Sequence, residues 1–198
     1  TKYPKQFHDV LGVGRTLIQQ TFDRFKDICP KENVFVVTHN DYRDQVLAQL
    51  PELTPNQVMC EPSRRNTAPC VAYAAYKIKE INPNANLVIA PADHLILNGN
   101  EFTRIINIAL TQTTTTNSLI TLGIKPSRPD TGYGYIQFTD TTDGVDLLVK
   151  KVKTFTEKPD LEIAKQFLES GDFYWNSGIF IWSLSSILTA FEKFLPDM

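Results

Sequence analysis

Cysteine is scarce in this 198-residue chain: Cys29, Cys60 and Cys70 show no CxxC spacing and have no partner histidines. Neither a disulfide framework nor a structural zinc site is expected, and a reduced, cytoplasmic setting fits best. An excess of either charge is also lacking, since the formal net charge is −2 and the pI is about 5.9. Without a basic footprint, nucleic acid is not an expected partner. No apolar run approaches the roughly 20 residues that a membrane helix needs, so no membrane association is expected either. Internal repeats and Pro- or Gly-rich linkers are missing as well. What remains is ordinary globular usage, 42% hydrophobic and 21% charged, read as one domain over residues 1–198.

The apolar pattern alternates between two periods. RTLIQQTFDRFKDI sets Leu17, Ile18, Phe22, Phe25 and Ile28 at helical spacing, and the β-branched run NVFVVT follows at 33–38. The order then repeats: helix 41–50, strand 57–60, helix 66–81, strand 86–90, helix 101–112, strand 118–124. Such alternation predicts an α/β fold, a Rossmann-like, mixed and mostly parallel sheet with helices on both faces. In the second half, YGYIQF, VDLLVKKVKTFTEKP and FYWNSGIFIW read as strands, with LEIAKQFLESG a helix between the last two. These are expected to add antiparallel strands to the same sheet or a lobe beside it. The threonine-rich TQTTTTN at 111–117 reads as a polar connection.

In open α/β sheets, ligands bind beyond the carboxyl ends of the strands, so the segments there carry the chemistry. In TKYPKQF, Pro4 stiffens the backbone ahead of Lys5, which is either a solvated lysine or part of a site. EPSRRNTAPC sets Arg64 and Arg65 before Asn66 and Thr67, with Pro69 in the first turn of a helix. That is an anion or nucleotide site, or a well-capped helix with a solvated arginine pair. PADHLI places Asp93 at a strand end, where a lone carboxylate either holds Mg²⁺ through a phosphate or caps a turn. His94 beside it reads as structural. Gly132 and Gly134 flank Tyr133, where glycine allows close backbone approach or serves turn chemistry. Glu157 and Lys158 fall at a strand end, and Asn176 and Ser177 within another apolar strand. Individually these are an edge-strand ion pair and a buried amide, but together they put polar groups where strands are apolar, and that mismatch points to a site.

Taken in order, PKQF, EPSRRNTAP, PADH, GIKPSRPDTGYGYI, FTEKPD and FYWNSGIF resemble the motifs of bacterial mannose-1-phosphate guanylyltransferases, within the sugar-phosphate nucleotidyltransferase family. The resemblance implies the nucleotide-diphospho-sugar transferase fold and the reaction of GTP with mannose 1-phosphate to give GDP-mannose and pyrophosphate. It implies that Lys5 contacts the nucleotide phosphates, that Arg65, Asn66 and Thr67 hold the nucleotide, and that Asp93 ligates Mg²⁺. Gly134 would line the sugar pocket, Glu157 and Asn176 would bind mannose hydroxyls, and Lys158 would neutralise the sugar phosphate. Lys5, Asp93 and Lys158 are thus the expected catalytic groups, with Mg²⁺ the cofactor and a homodimer a candidate assembly.

The family pattern also has a strand and a GGxGxRxWPxS loop before PKQ, and further chain after position 198. Neither is in this sequence, so the resemblance implies an incomplete catalytic domain of poor activity. Other readings are a catalytically inactive relative that binds a sugar nucleotide and regulates a partner, an enzyme for another hexose 1-phosphate, and a downstream isomerase domain.

Overall fold

The computed structural model describes residues 3–61, 66–139 and 148–197. Its elements in chain order are α1 (Leu17–Phe25), β1 (Val36–His39), α2 (Arg43–Gln49), β2 (Val58–Glu61), α3 (Thr67–Ile81), β3 (Asn86–Ile89) and α4 (Gly99–Thr115). They continue with β4 (Ile120–Ile124), β5 (Tyr135–Phe138), β6 (Val152–Thr156), α5 (Leu161–Ser170), β7 (Phe173–Ser183) and α6 (Leu184–Phe194). The chain divides into two compact units, Thr1–Asn86 with Pro91–Asn107 and Ser183–Met198, and Leu87–Ala90 with Ile108–Trp182.

In the first unit, β1 and β2 pair in parallel, Val36 facing Val58 and His39 facing Glu61. The helix expected at 15–28 is shorter at both ends. Thr16 and Gln19 form a reciprocal capping box that starts α1 at Leu17, and Pro30 disfavours helical geometry in Cys29 before it. Ile18 and Phe22 of α1 join Phe7, Val46, Leu50, Leu53 and Val58 in one buried cluster. Gln57, buried beside it, is fully used: its Nε2 donates to the carbonyls of Lys31 and Val34, and its Oε1 accepts from Thr54. Elsewhere in this unit α6 packs on α3.

In the second unit the strand order is β3-β7-β5-β6, with β4 also paired to β7. The pairs β4–β7, β5–β7 and β5–β6 are antiparallel. The mixed α/β class is as expected, and so are antiparallel strands in the second half. Alternation predicted β4 itself as a strand but not its neighbour, because β7 arrives some 50 residues later in sequence and takes the place beside it. Tyr135, Ala164, Phe173 and Trp175 form the core here, with the rings of Phe167 and Phe173 stacked at 3.9 Å. Asp160 caps α5 by accepting from the Ile163 N–H, and Gly171 ends it in the left-handed conformation at φ 77°. The threonine run closes α4 before it leads to β4: Thr113, Thr114 and Thr115 lie in the helix, each hydroxyl donating to the carbonyl three residues back, and Thr116 and Asn117 follow its end.

Candidate functional site

Lys5 opens a one-turn 3₁₀ helix, Lys5–Phe7, with Pro4 as its N-terminal flank. Phe7 is the anchor of this turn. Its ring enters the core against Tyr42, at 5.9 Å between centroids, and its carbonyl accepts from Gln49 Nε2 at the end of α2. Gln49 Oε1 in turn accepts from Thr16, so the turn is tied to the starts and ends of two helices. With Phe7 held inward, Lys5 faces solvent and its Nζ reaches the backbone carbonyl of Asp93 at 3.3 Å.

Asp93 lies in the turn just after β3, the position expected from the sequence. Arg24 supports this turn by donating to the carbonyl of His94 at 3.1 Å and to Thr21 Oγ1 at 2.7 Å. Burial lowers the Arg24 pKa from its ordinary value, and its Nε has no hydrogen-bond partner. The Asp93 carboxylate has no hydrogen-bond or ion-pair partner among the described residues. No cluster of three or more His, Cys, Asp or Glu residues suited to a metal occurs among them either. A lone unpaired carboxylate is a donor of the kind Mg²⁺ takes, one or two carboxylates with the shell completed by phosphate oxygens and water. It does not match an all-protein Ca²⁺ or zinc cage.

Asn66, in the same unit, is the N-cap of α3, but its side chain makes no capping bond and its backbone is at φ 64°, ψ −170°. That conformation is essentially reserved for glycine. The well-capped helix, one of the two readings of this segment, is therefore not realised at Asn66, and the first N–H groups of α3 receive no bond from its side chain. Thr67 is exposed at the first helical position. Arg64 and Arg65 lie outside the described residues. No hydrogen bond joins Asn66 or Thr67 to Lys5 or Asp93 among the described residues.

The second unit gathers Gly134, Glu157, Lys158 and Asn176. A Cβ on Gly134 would lie 2.8 Å from Phe155 Cζ and 2.9 Å from Glu157 Oε2, so only glycine fits without displacing the carboxylate. The Gly134 carbonyl accepts the Asn176 N–H at 2.7 Å. Glu157 and Lys158 follow the end of β6, and Lys158 sits at φ 42° ahead of Pro159, with its Nζ 3.5 Å from Glu157 Oε1. Among the described residues, Asn66 and Lys158 are the non-glycine residues with positive φ, and both fall in segments singled out from sequence. Strain of this kind gathers at ligand clamps and active sites.

The loop before Gly134 is braced from below by Tyr135, whose hydroxyl donates to the Asp130 carbonyl and accepts the Asp130 N–H. The Gly132 N–H, followed by Arg128, holds the Asp130 carboxyl below its usual range. Arg128 lies over the Trp175 ring, 5.3 Å from its centroid, and Tyr133 packs on the same indole at 5.0 Å.

A family model for nucleotidyl transferases matches residues 1–194. The chain belongs to that family. It is 36% identical over 202 residues to a mannose-1-phosphate guanylyltransferase of Escherichia coli, a match covering 100% of this chain and 43% of that protein. It is 36% identical over 196 residues to the xanthan biosynthesis protein XanB of Xanthomonas campestris pv. campestris, covering 98% of this chain and 40% of that one. The chain thus spans about two-fifths of the length of these curated relatives. Among solved structures, a mannose-1-phosphate geranyltransferase from Thermus thermophilus superposes with a TM-score of 0.85 at 25% identity, covering 98% of this chain and 55% of that one. A mannose-6-phosphate isomerase from Helicobacter pylori gives 0.83 at 28%, covering 99% and 72%. The motif resemblance to bacterial mannose-1-phosphate guanylyltransferases is thereby borne out along the whole chain.

Sequence reasoning did not single out Thr121, whose hydroxyl donates to Asn176 Oδ1 at 2.8 Å, nor the anchors Phe7 and Gln49. Phe7 was within reach, as the one aromatic that comes directly after a polar PKQ. Thr121 carried no local signal. The three cysteines are all unpaired, as expected. No helix among the described residues is long and apolar enough to cross a membrane.

Proposed function

We propose that the protein carrying this chain is a nucleotidyltransferase that makes GDP-mannose and pyrophosphate from GTP and mannose 1-phosphate in the cytoplasm, and that residues 1–198 belong to its catalytic domain. One observation carries the reading: the Lys5 ammonium rests on the backbone of the turn whose Asp93 carboxylate is unpaired. A cation and a free carboxylate side by side suit a polyphosphate with its counter-ion, and they are ill matched to a neutral ligand. The relatives named as mannose-1-phosphate guanylyltransferases supply the substrate class.

In this reaction an oxygen of the sugar phosphate bonds to the α-phosphorus of GTP. The bond from that phosphorus to the bridging oxygen breaks, and pyrophosphate leaves with the electron pair. Little covalent chemistry is asked of the protein, and rate comes from alignment and charge neutralisation. Lys5 neutralises phosphate oxygens of the nucleotide. Asp93 holds Mg²⁺, which, when bound, offsets negative charge on the phosphates. Arg24 fixes the turn that carries Asp93. The first N–H groups of α3, with Arg65, Asn66 and Thr67, hold the nucleotide. In the second unit, Glu157 accepts from sugar hydroxyls, Asn176 meets them through its amide, and Gly134 leaves room for the ring. Lys158 exchanges its loose contact with Glu157 for the sugar phosphate.

The test is pyrophosphate release by the full-length protein with GTP, Mg²⁺ and either mannose or glucose 1-phosphate. Turnover with the mannose compound is the expected result. Preference for glucose 1-phosphate would move the substrate assignment, and tight GDP-mannose binding without turnover would replace the enzyme with a regulatory relative.

A further inference from the structure

Strand β7 carries a bulge at its polar centre. Thr121 and Gly123 of β4, with Leu122 alone between them, face Phe180 and Asn176 of β7, with Ser177, Gly178 and Ile179 between. The surplus residues are taken up by Gly178 at φ 72° and by two short local bonds, Gly178 N–H to Asn176 Oδ1 at 3.3 Å and Ile179 N–H to Ser177 Oγ at 3.1 Å. Bulges of this kind bend a strand and re-aim a side chain, often beside an active site. Here the side chain re-aimed is Asn176.

The orientation of that amide is set by its partners. A backbone N–H only donates, so the atom it meets on Asn176 is the oxygen. The Thr121 hydroxyl lies 2.8 Å from the same oxygen and 3.1 Å from the Ile179 carbonyl; its single proton serves one acceptor at a time, and the shorter contact is the one to Asn176, a second donor to that oxygen. With Oδ1 engaged twice, the Nδ2 amino group has no partner among the described residues and presents two N–H donors. Glu157 lies on the other side of Gly134, and when ionised its carboxylate can only accept. A donor-only group and an acceptor-only group thus flank one glycine.

We infer that Thr121 is a positioning residue that locks the Asn176 amide with its amino group outward, so that Asn176 reads a ligand oxygen as acceptor while Glu157 reads a hydroxyl proton. Adjacent hydroxyls of a sugar ring supply that pair. The arrangement discriminates against a deoxy sugar, because removing either hydroxyl leaves a polar group of the protein without its partner. This inference rests on the sugar-phosphate reading of the second unit, and Thr121 itself contacts no substrate.

Thr121→Val keeps the shape and removes the donor, and Thr121→Ser restores it. In the unliganded full-length protein, nitrogen-15 spectra of the Asn176 side-chain amide are expected to be perturbed in Thr121→Val and wild-type-like in Thr121→Ser. An unchanged amide in Thr121→Val overturns the inference, whatever the protein's activity. In kinetics, Thr121→Val is expected to raise the KM for mannose 1-phosphate about tenfold with kcat and the KM for GTP nearly unchanged, and Thr121→Ser to recover it. Equal loss toward both substrates, unrelieved by serine, also overturns it. Absence of turnover by the wild-type protein with the amide result as expected would count against the proposed reaction and leave the locked amide standing.

Discussion

Lys5 Nζ donates to the Asp93 carbonyl across 88 positions of sequence, so two segments with no local relation share one hydrogen bond. Because Lys5 is exposed and Phe7 anchors its turn, the ammonium itself contributes little to folding. Lys5→Ala is expected to change unfolding free energy by less than about 0.5 kcal/mol. In pyrophosphate-release assays kcat should fall on the order of 100-fold. Unchanged turnover would remove Lys5 from the chemistry.

Gly134 tests the second unit. Alanine there drives a methyl against the outer edge of the Phe155 ring and the Glu157 carboxylate, both on exposed side chains. Because both can turn toward solvent, Gly134→Ala should cost no more than about 1 kcal/mol in urea unfolding. It should also weaken mannose 1-phosphate binding more than GTP binding, measured as separate KM values.

Asn66 holds a glycine-like conformation without a side-chain bond to compensate. Asn66→Gly is therefore expected to stabilise the protein by up to about 1 kcal/mol, and Asn66→Ala to destabilise it by a similar amount. Thermal midpoints of the two variants, moving in opposite directions from wild type, are the readout. Movement in the same direction would show that the strain is relieved elsewhere.

Asp130 gives a pH dependence. Its folded pKa lies below the ordinary value of 3.8, held there by the Gly132 N–H and then Arg128. For such a group the stabilisation is fully present above the unfolded value and is lost as pH falls through the folded one. The gap in thermal midpoint between wild type and Asp130→Asn should accordingly be visible at pH 7 and close as acid carries the sample below pH 3.8. A gap that widens in acid would contradict this.

Much of the fold was legible because local chemistry and apolar period agreed. Asp160 and Gly171 mark the ends of α5, and β7 alternates buried and half-buried positions along most of its length. Other features depend on partners distant in sequence. The pairing of β4 with β7, and the bulge that sets Thr121 against Asn176, come from a register that no window around residue 121 contains. The α6 helix is a different case: Ser183 caps it, and Leu184, Ile187, Leu188 and Phe191 repeat at helical spacing, a local signal that starts directly after the FYWNSGIFIW strand and is legible in sequence. At the site, the motifs placed Asp93, Gly134 and Glu157 at strand ends and Asn176 within a strand, as found, whereas Lys5 lies in a one-turn 3₁₀ helix away from any strand. That Asp93 is unpaired, and that Asn66 does not cap its helix, depends on side-chain geometry that motif order does not carry.

Trp175 has one more consequence. Its indole N–H is buried without an acceptor, Arg128 and Tyr133 cover its ring, and Asn176 is the next residue along the chain. The chain holds two tryptophans, Trp175 and Trp182, so replacing Trp182 by phenylalanine leaves Trp175 as its single indole, beside the proposed sugar contacts and separable from the tyrosines by excitation at the red edge. Shielding from water blue-shifts indole emission. Any ligand that lifts the 128–133 loop or offers that N–H an acceptor will move the emission, giving a label-free optical titration of the sugar side.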